Sequence, residues 1–283
     1  MDGTTTTSSS SPDIVFYDIA FAQPYFQSTC APNPWKARYA LNSKRLSYKI
    51  TWVHMTDITT VRQNLNIAPC RQLPDGRDFY TLPIATFPPV TIGDSFDIAT
   101  HLQSTYPSTG DDLFPPQALN YTCPGTNAVS IPLSQRTDKD NNILAPYAAF
   151  NTQVDTAFTL HVGLVATGMR WDADKVEPIR AEFVRRAGVG SWEDLSLQGE
   201  ERRRMMGSLR ETVRELAALF VREGHGPFLL GTRASYADFI VGGWLRMFSE
   251  TLEREEWEEM SGWFDGVFGQ LHDALQERFG EVR

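Results

Sequence analysis

The sequence predicts an α+β protein in two parts, a small domain on a mixed four-stranded sheet followed by an all-helical domain. Up to about residue 105, short β-runs alternate with helical segments. Two of the runs flank a tight Pro88-Pro89 turn and must therefore pair antiparallel. Beyond Asn141 the pattern is helical, with apolar residues at helical spacing and no strong β-run. A composition shift runs alongside: residues 1–110 hold eight Lys/Arg and eight Asp but no Glu, and the first glutamate is Glu177. The expected divisions are a tail over 1–12, a sheet domain over 13–110, a linker over 111–140 and a helical domain over 141–283.

Within the sheet domain, Ile14 to Ile19 reads as a buried first strand. Pro34 suits the first turn of a helix running through Trp35 to Asn42, with Ala37, Ala40 and Leu41 facing the sheet. Tyr48 to Val53 alternates like a strand, and Asp57 to Leu65 predicts a short helix. Cys70 to Asp78 reads as a polar loop with a Pro74-Asp75-Gly76 turn. A run containing Pro83 and the run Val90-Thr91-Ile92 complete the sheet, and a helix follows from about Asp94 to Thr105. In the second domain, helices are expected over Ile143 to Ala166, Asp174 to Ala187, Gly199 to Glu223 with Gly224 to Gly226 ending it, and Trp257 to Phe279. Ser235 to Asp238 has capping-box spacing, with Asp for Glu, and opens a buried helix over Phe239 to Phe248.

The net charge of −9 argues against nucleic acid or an acidic membrane as partner. No apolar run approaches the ~20 residues of a spanning helix, so no membrane association is expected. The Thr/Ser-rich stretch from Met1 to Ser11 lacks a basic region ahead of an apolar one, and reads as a disordered tail rather than a secretory signal. Cys30, Cys70 and Cys123 are odd in number and lack metal-ligand spacing, which points to a reducing, cytoplasmic setting and no metal.

The stretch from Tyr80 to Ala99 concentrates the functional signals. A proline inside a β-run removes a ladder donor and survives where a turn or a ligand needs that geometry. Asp94-Ser95 stands at a helix start, where free N–H groups and the positive dipole end attract an anion. An exposed edge backbone beside a carboxylate-binding corner is what a small extended peptide needs.

Two motifs, Thr81-Leu-Pro-Ile84 with Gly93-Asp94-Ser95 and Gly226-Pro-Phe-Leu-Leu-Gly to Ser235-Tyr-Ala-Asp238, together resemble the glutathione transferase family, one in each domain. The segment from Ala31 through Pro34-Trp35-Lys36 to Leu41 is similar to the fungal and etherase-related branch, including its glutathione-dependent trans/cis olefin isomerases of secondary metabolism. The resemblance implies a thioredoxin-like first domain, glutathione as cofactor and homodimers as the usual assembly. It places glutathione on Leu82 and Pro83 by backbone pairing and on Asp94 and Ser95 at its γ-glutamyl end. Lys36, Arg71 and Gln72 are candidates for its carboxylates. The branch's thiolate-assisting serine aligns with Ala31, which has no hydroxyl, so the sulfur donor is left to Cys30, to Asn33 or to a backbone N–H near the helix start. Tyr147, Phe150, Phe158 and His161, with Trp171, are candidates for the pocket of an apolar cosubstrate, lying between the domains. The implied reaction is isomerisation of an activated polyene by reversible thiolate addition and elimination. Conjugation of an apolar electrophile is the alternative, and a binding protein that kept the fold without the chemistry is the third reading.

Overall fold

The computed structural model describes residues 14–73, 76–125, 143–221 and 226–282. The expected tail, the Pro74-Asp75 portion of the turn, the second half of the linker from residue 126 and the Gly224-His225 helix end lie outside the described residues. In chain order the first part holds β1 (Ile14–Ile19), α1 (Tyr25–Ser28), α2 (Pro32–Ser43), β2 (Tyr48–Val53), α3 (Ile58–Asn64), β3 (Arg71–Gln72), β4 (Asp78–Phe79), β5 (Ile84–Phe87), β6 (Val90–Ile92) and α4 (Ser95–Thr105). The four-stranded sheet has the order β2-β1-β5-β6. β1 runs parallel to β2, with Ile14 opposite Tyr48, and antiparallel to β5, which pairs antiparallel with β6 across Pro88-Pro89. That is the expected mixed sheet. Two details differ. Pro83 precedes β5 instead of lying inside it, and the polar loop folds into the small antiparallel ribbon β3–β4.

β1, expected to be buried throughout, alternates, with Ile14, Phe16 and Asp18 on the buried face and Val15, Tyr17 and Ile19 half-buried. Asp18 is tolerated there because Arg38 pairs with it and Thr29 Oγ1 donates to it at 2.9 Å. α2 is buried from Pro34 to Ser43, because α4 and α9 pack on it as well as the sheet.

The second part holds α5 (Leu144–Thr159), α6 (Val176–Ala187), α7 (Gly199–Thr212), α8 (Arg214–Phe220), α9 (Tyr236–Thr251), α10 (Arg254–Ser261) and α11 (Trp263–Phe279). α9 is its axis, buried over most of its length. Its start is fixed by the expected box: Asp238 Oδ2 accepts from the Ser235 N–H and hydroxyl, each at 2.8 Å, and Oδ1 from Leu229 N–H at 2.8 Å. Burial raises the Asp238 pKa to about 6. α9 crosses α2 so closely that a Cβ on Gly243 would sit 2.5 Å from the Pro32 carbonyl oxygen.

Three expected helices are interrupted. The first ends at Thr159, where His161 Nδ1 donates to the Ala157 carbonyl at 2.7 Å and short 3₁₀ turns follow. The second breaks at Val213, beside Thr212, whose carbonyl accepts from the Tyr121 hydroxyl at 2.9 Å. The third separates into α10 and α11 around Gly262, with Phe264, Asp265 and Gly266 at φ of 54°, 60° and 79°. Each break is imposed by tertiary partners or by backbone conformations that side-chain periodicity does not encode.

Candidate functional site

The two stretches singled out between Tyr80 and Ala99 meet at one corner. The Leu82–Pro83 bond is cis, and Leu82 is buried. Asp94 is the N-cap of α4, its Oδ1 accepting from Phe96 N–H at 2.8 Å and from Asp97 N–H at 3.3 Å. Ser95 is the first residue of that helix and is buried at 4% exposure. Arg62 of α3 joins the stretches. Its Nη1 donates to the carbonyls of Thr81 and Gly93, both at 2.7 Å, and its Nη2 to that of Ala68 at 2.7 Å. The guanidinium itself is buried, which leaves those bonds unscreened by solvent.

The start of α2 forms a second polar point. Pro32 and Pro34 carry no N–H, and Trp35 N–H is bound to the Ala31 carbonyl at 3.1 Å. Asn33 N–H is thus the one backbone donor left open in the first turn, among the described residues. The Asn33 side chain lies at the cavity wall. Cys30, one candidate for the sulfur-side group, is corrected: it is buried at 2% exposure, outside the cavity lining, and burial pushes its thiol pKa up. Its loop is held by Trp35 Nε1, which donates to the Thr29 carbonyl at 2.8 Å, and by Thr29 on Asp18.

Between the halves of the molecule lies a cavity of about 250 Å³. Ala31, Asn33, Thr81 and Leu82 line one side of it. The segment ahead of α6 supplies Met169 and Trp171, α6 supplies Phe183 and Arg186, and α9 supplies Trp244 and Met247. Phe21 of the sheet domain also lines it and stacks on Trp171 with ring centres 4.5 Å apart. The lining is apolar apart from Asn33, Thr81, Thr159 and Arg186.

Four expected pocket residues are corrected. Tyr147 is buried, and its hydroxyl donates to the Pro115 carbonyl at 2.7 Å and accepts from Gln117 at 2.6 Å. Phe150 is fully within the core. Phe158 stacks behind the wall on Trp244, with ring centres 5.5 Å apart. His161 is spent on Ala157 and, through Nε2, on the Ser208 hydroxyl at 3.0 Å; burial lowers its pKa, which keeps the ring neutral. Only Trp171 of that group faces the cavity. Lys36 is also corrected. Fully buried, its ammonium lies 2.5 Å from Asp155 Oδ1 and 3.0 Å from Asn151 Oδ1, and Trp244 Nε1 donates to that same Asp155 oxygen at 2.7 Å. It is a structural bolt between α2 and α5. Arg71 and Gln72 sit on β3 ahead of the cis bond; Arg71 lies 4.3 Å from the Phe79 ring centre, and Gln72 is exposed, 3.4 Å from Asp78.

Residues 147–278 match the family described as "Glutathione S-transferase, C-terminal domain". The whole chain overlays, with a TM-score of 0.75, a glutathione S-transferase of Ceriporiopsis subvermispora crystallised in complex with glutathione; the two are 29% identical over 96% of this chain and 99% of that one. The fold is that of a glutathione transferase. GSTFuA2 of Phanerochaete chrysosporium gives a TM-score of 0.71 at 28% identity, over 95% of this chain and 99% of that one. The glutathione S-transferase-like protein ustS of Aspergillus flavus is 26% identical over 270 residues, 92% of this chain and 89% of the relative. The thioredoxin-like sheet domain and the all-helical domain are therefore the two halves of a glutathione transferase fold, as expected. Arg62 and Arg186, which shape this fold's corner and cleft, carried no local signal: both are charged residues on short or amphipathic helices, where a solvated face is the ordinary outcome.

Proposed function

We propose that the chain is a glutathione-dependent enzyme acting on an apolar electrophile, and that its favoured reaction is trans/cis isomerisation of an activated polyene. Glutathione lies along the Leu82–Pro83 edge, its cysteinyl backbone paired with Leu82, its γ-glutamyl carboxylate on the Ser95 hydroxyl and the α4 N-terminus, and its ammonium near Asp94. Arg71 and Gln72 stand near for the glycyl carboxylate. The observation that carries the reading is the joint placement of Asn33, Thr81 and Leu82 on one wall of an otherwise apolar cavity. A sulfur held at the cis-proline edge faces that cavity beside the open Asn33 N–H.

A free thiol with a pKa near ~8.5 is only a few per cent thiolate at neutral pH, so a donor and a helix dipole raise the reactive fraction. Asn33 N–H supplies that donor in place of the hydroxyl missing at Ala31. In the favoured reaction the thiolate adds to the polyene, the bond that was double rotates, and elimination returns glutathione. The lining offers no carboxyl or imidazole to assist a leaving group, which suits a reaction without one. Conjugation is the second reading, favoured by the transferase names of the similar proteins. The test follows an activated polyene by chromatography with and without glutathione. Isomer exchange at constant total glutathione supports the first reading. Stoichiometric loss of glutathione into an adduct replaces it with the second, and neither change overturns both.

A further inference from the structure

Arg186 has the placement of a working group and no assigned role. It closes the last turn of α6, a helix that docks on the sheet domain through Ile179, buried with Val53, Met55, Ile58, Leu82 and Ile84. The guanidinium is fastened on two sides. Nε donates to Glu182 Oε1 at 2.7 Å, and Nη1 to the Tyr80 carbonyl at 3.0 Å. Its Cζ lies 5.0 Å from the Phe79 ring centre. Nη2 takes no partner among the described residues, and the side chain, 14% exposed, forms part of the wall of the apolar cavity. A cation fastened on two sides at an apolar wall is a preorganised donor for an oxygen that becomes negative during reaction. It also discriminates among ligands, because an occupant without an acceptor covers Nη2 and leaves that one N–H pair without a hydrogen bond, while the bonds to Glu182 and Tyr80 persist.

We propose that Arg186 is the specificity-determining residue of this cavity: its Nη2 donates to the carbonyl oxygen of a conjugated electrophile as the glutathione thiolate adds, and so favours such electrophiles over those without an acceptor. This rests on the glutathione reading above and assigns a residue to its selectivity. The balance is simple. Sulfur forms a bond to the β-carbon, the π pair moves through the α-carbon to the carbonyl oxygen, and the Cα–Cβ bond becomes single. After rotation the enolate expels the thiolate and restores the conjugated alkene in the other geometry. If water protonates the α-carbon first, the adduct is the product. No oxidant or reductant enters.

A purely structural Arg186, tying α6 to the strand before the cis bond, predicts something different, and three variants separate the two. Arg186→Gln removes the cation. Arg186→Lys keeps the charge. Glu182→Gln weakens the same anchor and leaves the guanidinium in place. Each is assayed with glutathione against an aryl enone and against benzyl chloride, which displaces halide and places no charge on oxygen. Glutathione affinity is read by calorimetry. Arg186→Gln is expected to lower kcat/KM for the enone about 100-fold, the scale of one lost oxyanion donor, with benzyl chloride and glutathione affinity changed by less than about threefold. Arg186→Lys should recover part of the enone loss, and Glu182→Gln should keep the preference. Equal losses on both electrophiles, or no loss on the enone, overturn the proposal. Binding of an unreactive aryl ketone to the glutathione-free protein, followed by Trp171 and Trp244 fluorescence, supplies a second readout. It should weaken about tenfold in Arg186→Gln, while naphthalene binding stays the same, and an unchanged ketone affinity overturns the proposal whether or not turnover is detected. Failure of the native chain to bind glutathione strikes the reading beneath it and is seen separately in the calorimetry.

Discussion

Replacing Arg62 by methionine keeps most of the buried volume and removes the guanidinium that ties Thr81 to Gly93. Of its three carbonyl partners, that of exposed Ala68 turns to water at little cost. The Thr81 and Gly93 carbonyls sit in a half-buried corner and each loses a charge-assisted bond of 2.7 Å. Such bonds contribute roughly 1.5–3 kcal/mol apiece, so the expected destabilisation is about 3–6 kcal/mol. Against a typical total of ~5–15 kcal/mol that is a large fraction. Arg62→Lys should lose about half as much, because one ammonium on a flexible stem cannot span both carbonyls in a fixed fork. Urea denaturation reads the stability, and glutathione calorimetry reads the corner. At about 1.4 kcal/mol per decade, a modest loosening between Pro83 and Ser95 weakens glutathione at least tenfold. If Arg62→Met costs under about 1 kcal/mol, or if it leaves glutathione affinity unchanged, Arg62 does not organise the site and the reasoning fails.

Lys36→Met strands the Asp155 carboxylate between α5 and α9 and should cost about 3–5 kcal/mol in urea unfolding; adding Asp155→Asn should restore more than half, which separates an unpaired buried charge from lost packing. Asp238 binds its proton more tightly folded than unfolded, since its folded pKa is about 6 against 3.8 for the free group. Its contribution is therefore full below the unfolded value and falls as pH rises through the folded one, so native stability relative to Asp238→Asn should drop by roughly 3 kcal/mol from low pH to above that window, checked by denaturation across the range. Ala31→Ser restores a hydroxyl at the start of α2; it should increase conjugation of a generic aryl halide and slow isomerisation, and an unchanged pair of rates contradicts the assignment of the sulfur donor to Asn33.

Much of the frame was legible in the chain itself. β1 is a mostly apolar run, β2 alternates, the Pro88-Pro89 turn forces an antiparallel pair, and the Asp94 and Ser235-Asp238 caps are local chemistry that the folded chain repeats. The cavity was not legible. Helical spacing marks Tyr147, Phe150 and Phe158 as inward-facing, but an inward face meets either the core or a cleft, and all three meet the core. The Ala31–Pro34 and Thr81-Leu82 stretches carried a signal, but the helical side of the cleft comes from scattered segments, and Phe183, Arg186, Trp244 and Met247 are not marked by their neighbours in sequence. Lys36 was misplaced for a related reason. As a candidate for a glutathione carboxylate it needs an open face, but α2 is covered on every side, and its charge is met instead by Asp155 from a helix more than 100 residues away. Cys30 fell the same way: next to the helix start in sequence, it turns inward where Asn33 turns to the cavity.

The most direct measurement is isothermal calorimetry of glutathione with the native chain and with Ser95→Ala. Dissociation in the micromolar-to-millimolar range, weakened at least tenfold by the substitution, is the predicted result and fixes the peptide in the Pro83–Ser95 corner. No heat from the native chain, or equal affinity in the variant, contradicts the account at its centre.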